Sequence, residues 1–93
     1  MAQIDVTINN RSYRLACEEG EEDHLRELSR YIDKQVNGIR GEFGQIGDAR
    51  LLVMASLTIA DKLSETYSKL EKLEREVAEL RGSSERLRAE TGD

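Results

Sequence analysis

The chain has 93 residues, which admits at most one domain and only a thin core of its own. Charged residues make up 35% against 4% aromatics, with no proline, a composition that suits a long helix better than a compact globule. The net charge of −5, from 14 basic and 19 acidic residues, argues against nucleic acid as a partner, because such binding is dominated by phosphate neutralisation. No segment approaches the roughly 20 apolar residues of a membrane span. The opening MAQIDVTINN lacks the basic and apolar regions of a signal peptide. Cys17 has no second cysteine to pair with, so a reducing cytoplasm is the expected compartment.

Residues 3–17 predict a β-hairpin. Ile4, Val6 and Ile8 alternate with Asp5 and Thr7, and Tyr13, Leu15 and Cys17 alternate with Arg14 and Ala16. A period of two marks strands with one buried face. Asn9-Asn10 lies between them, and asparagine tolerates the positive φ that a two-residue type I′ turn requires. That turn sets Ile8 opposite Arg11, Val6 opposite Tyr13 and Ile4 opposite Leu15. It also sets Asp5 against Arg14 on the other face, a favourable cross-strand charge pair. A lone hairpin is marginal in water, so this one must pack on a helix or on another chain.

The acidic run from Glu18 to Asp23 reads as a loop entering a helix, where negative charge is favoured. From about Asp23 to Phe43, Leu25, Leu28, Ile32, Val36, Ile39 and Phe43 recur at spacings of three and four, the mark of one apolar helical stripe. Gly38, Gly41, Gly44 and Gly47 then weaken the helix, with Gly44-Gln45-Ile46-Gly47 as the turn. Asp48 is expected as N-cap of the next helix. From Ala49 to Ala60 that helix is apolar nearly all round, which implies burial on several sides.

Beyond it the apolar pattern narrows to a seam: Leu52, Ser56, Ile59, Leu63, Thr66, Leu70, Leu73, Val77, Leu80, Ser84 and Leu87 alternate spacings of four and three. This is a heptad register, weakest at Ser56, Thr66 and Ser84. Gly82-Ser83-Ser84 is a point of expected fraying, after which the tail either continues as helix through Leu87 or is disordered. From Ala49 to Arg81 such a helix is about 50 Å long, more than so short a chain can cover with its own residues. The seam of Leu52, Ile59, Leu63, Leu70, Leu73, Val77 and Leu80 is therefore expected to meet another copy or another protein. The expected fold class is α+β. Residues 1–60 form a small head with an N-terminal hairpin and a short helix, and residues 61–93 form a coiled-coil tail with a frayed end.

Little in the chain suggests catalysis. His24 is the only histidine, which excludes a multi-histidine metal site, and it reads as a surface residue of a first helical turn. Cys17 alternates with an apolar strand face and reads as a small buried hydrophobe. The glycines spaced by three lack the strand–loop–helix context of a phosphate-binding motif, and the acidic run lacks EF-hand ligand spacing. No nucleophile, base and oxyanion donors can be assembled, so no enzyme, cofactor or metal is expected. The basic head residues Arg11, Arg14 and Arg40 are read from charge alone as solubilising, with Arg14 paired to Asp5.

The order of these segments resembles the ZapA family of bacterial cell division proteins. The resemblance rests on the hairpin VTINNRSYRLAC, with its pattern I-x-x-R-S-Y-x-L-x-C, the helix end IDKQVNGIR, and the helix DARLLVMASLTIADKL running into a coiled coil. It covers roughly the first 80 residues. It implies dimers that join through their tails into an antiparallel dimer of dimers, with heads that bind FtsZ. It further implies filament crosslinking in the cytokinetic ring, in the cytoplasm at mid-cell. By motif matching, FtsZ contact is implied for Arg11 and Arg14 in the hairpin and for Arg40. The chain departs from the pattern at Gly44, where some relatives carry a basic residue. The alternative is a coiled-coil subunit of a regulatory or chaperone-like assembly; prefoldin-like chaperones, however, place their hairpins between two long helices, whereas this hairpin precedes both.

Overall fold

The computed structural model describes residues 1–91. The elements run β1 (Ala2–Ile8), β2 (Arg11–Cys17), α1 (Glu22–Phe43) and α2 (Asp48–Thr91), an α+β arrangement of a hairpin followed by two helices. The contacts divide the chain into a first unit, Met1–Ile59, and a second that begins at Ala60.

The strands pair antiparallel with Ile8 opposite Arg11, Val6 opposite Tyr13, Asp5 opposite Arg14 and Ile4 opposite Leu15, the register the alternation predicts. Asn9 and Asn10 have φ of 54° and 64°, both positive as a type I′ turn requires. Asparagine is among the few residues with a side chain that enter this region at low cost, which is why the turn falls there.

Ile4, Val6 and Cys17 are buried against Ala2, Ile8 and Leu25. A second cluster of Val36, Leu51 and Ala55 packs with Ile8, Ile32, Ile39, Ile46 and Leu52. Ile8 belongs to both, so the end of β1 joins the hairpin core to the contact between α1 and the first turns of α2. The apolar face of β2 departs from the expected burial: Tyr13 and Leu15 remain 36% and 43% exposed. The reason is the placement of α1, which lies along β1 and leaves the second strand largely uncovered.

α1 begins with Glu22 and Asp23 in its first turn, where the helix dipole favours carboxylates. It passes through Gly38 and Gly41 and stops at Phe43, where Gly44 takes φ 84° and returns its N–H to the Arg40 carbonyl at 2.7 Å. The expected N-cap of α2 is corrected by one position. The Gly47 carbonyl accepts the first helical N–H, from Leu51, at 3.0 Å, so Gly47 precedes the helix and Asp48 is its first residue. Asp48 still meets the favourable end of the helix dipole, but its carboxylate is turned toward the hairpin.

α2 continues through Gly82, Ser83 and Ser84 to Thr91. A single helical glycine costs only about 1 kcal/mol against alanine, and Arg86 donates to the Ser83 hydroxyl at 3.2 Å across the weak point. The polar seam positions Ser56 and Thr66 donate their hydroxyls to the carbonyls of Leu52 and Lys62, at 2.7 and 2.8 Å. Each layer therefore carries a satisfied hydroxyl rather than a free donor. Leu63, Leu70, Leu73, Val77, Leu80 and Leu87 are all exposed in the single chain.

Candidate functional site

The three basic residues of the head do not form one patch. Arg14 donates through Nε to Asp5 Oδ1 at 3.0 Å and through Nη2 to Oδ2 at 3.4 Å, on the face of the hairpin opposite the core. This hydrogen-bonded pairing lowers the pKa of Asp5 from the ordinary carboxylate value and raises that of Arg14. A depressed carboxyl pKa gives a contribution that is present above the unfolded value and lost as pH falls through the folded one. Both side chains are solvent-exposed, so that contribution is small.

Arg11 and Arg40 lie instead on one network around the hairpin turn. Arg11 Nε pairs with Asp48 Oδ2. Arg40 donates through Nη1 to Asn9 Oδ1, and Asn9 Nδ2 donates to Asp48 Oδ1 at 2.5 Å. The Asn9 backbone N–H donates to Asp33 Oδ1 at 2.8 Å. Asn9, Asn10, Arg11, Gln45, Gly47 and Asp48 line a shallow recess there. Arg11 and Arg40 are thus brought together, Arg14 stands apart, and Asn9, Asp33 and Asp48 join them without having been singled out as site residues from the sequence.

The second group of candidates is apolar. Leu52 and Ile59 are half-buried in the first unit, and the remaining seam residues belong to the second. Val53 and Leu57 also face solvent in the single chain, as does Phe43 at the end of α1. Ile39, Phe43, Met54 and Leu57 line an open groove between the two helices.

Cys17 is buried in the hairpin core, and burial, followed by the nearby Glu22 carboxylate, pushes its thiol pKa up. Both effects disfavour the thiolate, which is the reactive form. In the native protein Cys17 is therefore expected to react with a disulfide reagent at pH 8 far more slowly than in denaturant; equal rates in the two conditions contradict its place in the core. No cluster of metal-ligating side chains occurs among the described residues, and no described helix is long and apolar enough to cross a membrane.

Three comparisons bear on identity. No curated protein matches the chain. A solved structure described as an unknown conserved bacterial protein from Pseudomonas aeruginosa PAO1 is similar, at 27% identity and a TM-score of 0.76, over 94% of this chain and 97% of that one. The model of the family described as cell division protein ZapA matches residues 4–91, from within β1 to the last residue of α2. The chain belongs to the ZapA family of FtsZ-associated bacterial cell division proteins.

Proposed function

We propose that this protein is a non-enzymatic adaptor that binds FtsZ through the basic side of its hairpin turn and crosslinks FtsZ filaments in the cytokinetic ring. The observation that carries the reading is the family match across residues 4–91. The exposed seam from Leu63 to Leu87 supports self-association, which gives one particle several binding surfaces. The family's arrangement, an antiparallel dimer of dimers, is the assembly proposed here. Its place of action is the cytoplasm, at the mid-cell division ring.

Arg11 is the best candidate for direct contact. Its side chain is 69% exposed even while paired with Asp48, which leaves guanidinium surface open to a partner carboxylate. Arg40 is half-buried and Arg14 is committed to Asp5, so both contribute less. A charge-assisted contact is worth about 1.5–3 kcal/mol, or roughly tenfold or more in affinity. Arg11→Glu is therefore expected to weaken co-sedimentation with FtsZ polymers by at least about tenfold at unchanged oligomer mass. Wild-type binding should weaken as salt rises, because exposed charges dominate it. Undiminished pelleting of Arg11→Glu would show that this side of the head is not the FtsZ surface and return Arg11 to a solubilising role.

A further inference from the structure

The polar groups at the hairpin turn form a single chain, from Arg40 to Asn9 to Asp48 to Arg11, which ties α1, the turn, the start of α2 and β2 together. Asn9 is its middle link and, among the described residues, the only buried polar one, 7% exposed. Its carboxamide oxygen serves Arg40 and its amide serves Asp48, while its backbone N–H is taken by Asp33. This division of labour has a consequence for Arg11. By holding Oδ1 of Asp48, the Asn9 amide leaves Oδ2 beside Arg11 Nε, where the two form an ion pair. A carboxylate in the first turn of a helix is otherwise free to rotate toward the exposed backbone N–H groups there.

We propose that Asn9 is a positioning residue for FtsZ recognition: through Asp48 it holds the Arg11 guanidinium beside the hairpin turn, exposed to an acidic partner, and it fixes Arg40 beside it. This rests on the reading of Arg11 as a contact. An exposed arginine has a flexible stem, and a partner that binds it must order that stem. The chain through Asn9 does the ordering before the partner arrives. The partner surface is accordingly one that presents a carboxylate to Arg11 without displacing Asp48.

The test uses the full chain and two kinds of variant. Asn9→Gly deletes the carboxamide while suiting the positive φ of 54° at this position, so the turn is preserved. The exchange Asn9→Asp with Asp48→Asn keeps the net charge and the hydrogen bonds that centre on position 9. The amide at position 48 then donates to the carboxylate at position 9, Arg40 keeps its acceptor, and the negative charge stays within the network beside Arg11. Asn9→Gly is expected to weaken FtsZ co-sedimentation about three- to tenfold at unchanged oligomer mass. The exchange is expected to restore binding to within about twofold of wild type. In the free protein, nitrogen-15 relaxation of Arg11 Nε is expected to report a restricted side chain, which becomes more mobile in Asn9→Gly and is restricted again in the exchange.

Unchanged mobility of Arg11 in Asn9→Gly, or a folded exchange variant that binds as weakly as Asn9→Gly, overturns the proposal. Should Asn9→Gly fail to fold, the exchange variant decides: wild-type binding supports the proposal, and weak binding by a folded protein overturns it. Arg11→Glu separates the two levels of the argument. If it binds FtsZ as wild type, the reading of Arg11 as a contact fails, and the role of Asn9 in recognition falls with it. If it loses binding while Asn9→Gly keeps it, only the role of Asn9 is overturned.

Discussion

Leu70→Asp combined with Leu73→Asp is expected to dissociate the protein and to melt much of α2. Both leucines are exposed in the single chain, 47% and 56%, on a helix whose second unit has no other element to pack against. Isolated helices owe little stability to their own propensity, and most of it comes from packing an apolar face. Burying a leucine is worth about 1.5–3 kcal/mol, so two lost layers remove several kcal/mol from each chain of the assembly. A carboxylate placed in a buried layer adds a desolvation cost on top of that loss. Analytical ultracentrifugation and far-ultraviolet circular dichroism at micromolar concentration read the result directly. Wild type should sediment as an oligomer and the double variant as a monomer of lower helicity. A monomeric wild type removes the basis for the seam.

Leu51→Ala is expected to cost about 2–5 kcal/mol, the range for truncating a buried leucine that leaves a cavity. Leu51 and Val36 are both 0% exposed and lie in the cluster that joins α1, α2 and the end of β1. Small domains hold only about 5–15 kcal/mol in total, so this one change removes a large part of the head's stability. Val53→Ala is the control. Val53 is 58% exposed in the single chain, so truncation there leaves the protomer core intact. Chemical denaturation of both variants at one fixed protein concentration separates core loss from loss of association, because association itself shifts apparent stability. A Leu51→Ala protein with the wild-type midpoint contradicts the assignment of this residue to the core.

Features governed by local rules were readable in the sequence. The hairpin register followed from period-two alternation and the Asn9-Asn10 turn, and it carried the Asp5–Arg14 pair with it. The stripe of α1 followed from spacings of three and four, which the burial of Val36 and the packing of Leu25, Ile32 and Ile39 bear out, while its members Leu28 and Phe43 stay exposed in the single chain. What depends on how elements dock was not readable. Alternation marks a face but not which strand a helix will cover, so the exposure of Tyr13 and Leu15 had no signal in the chain. Asp48 obeys a capping pattern, yet its carboxylate goes to Asn9 and Arg11 because folding brings the hairpin turn within reach. The bonds that centre on Asn9 span 24, 31 and 39 residues, and no window along the sequence contains them. Arg11 and Arg40 could be named from the chain by resemblance; that they share a network, and that Arg14 does not, required the fold.

On the proposed reading, self-association and FtsZ contact are each necessary for crosslinking and neither is sufficient. Contact without valency decorates a filament, and valency without contact leaves filaments apart. The most direct test is electron microscopy of FtsZ filaments mixed with equal concentrations of wild type, Arg11→Glu, and the Leu70→Asp, Leu73→Asp double variant. Bundles are predicted with wild type alone, with single filaments in the other two mixtures. Bundles formed by Arg11→Glu or by the monomeric seam variant as readily as by wild type would contradict the account.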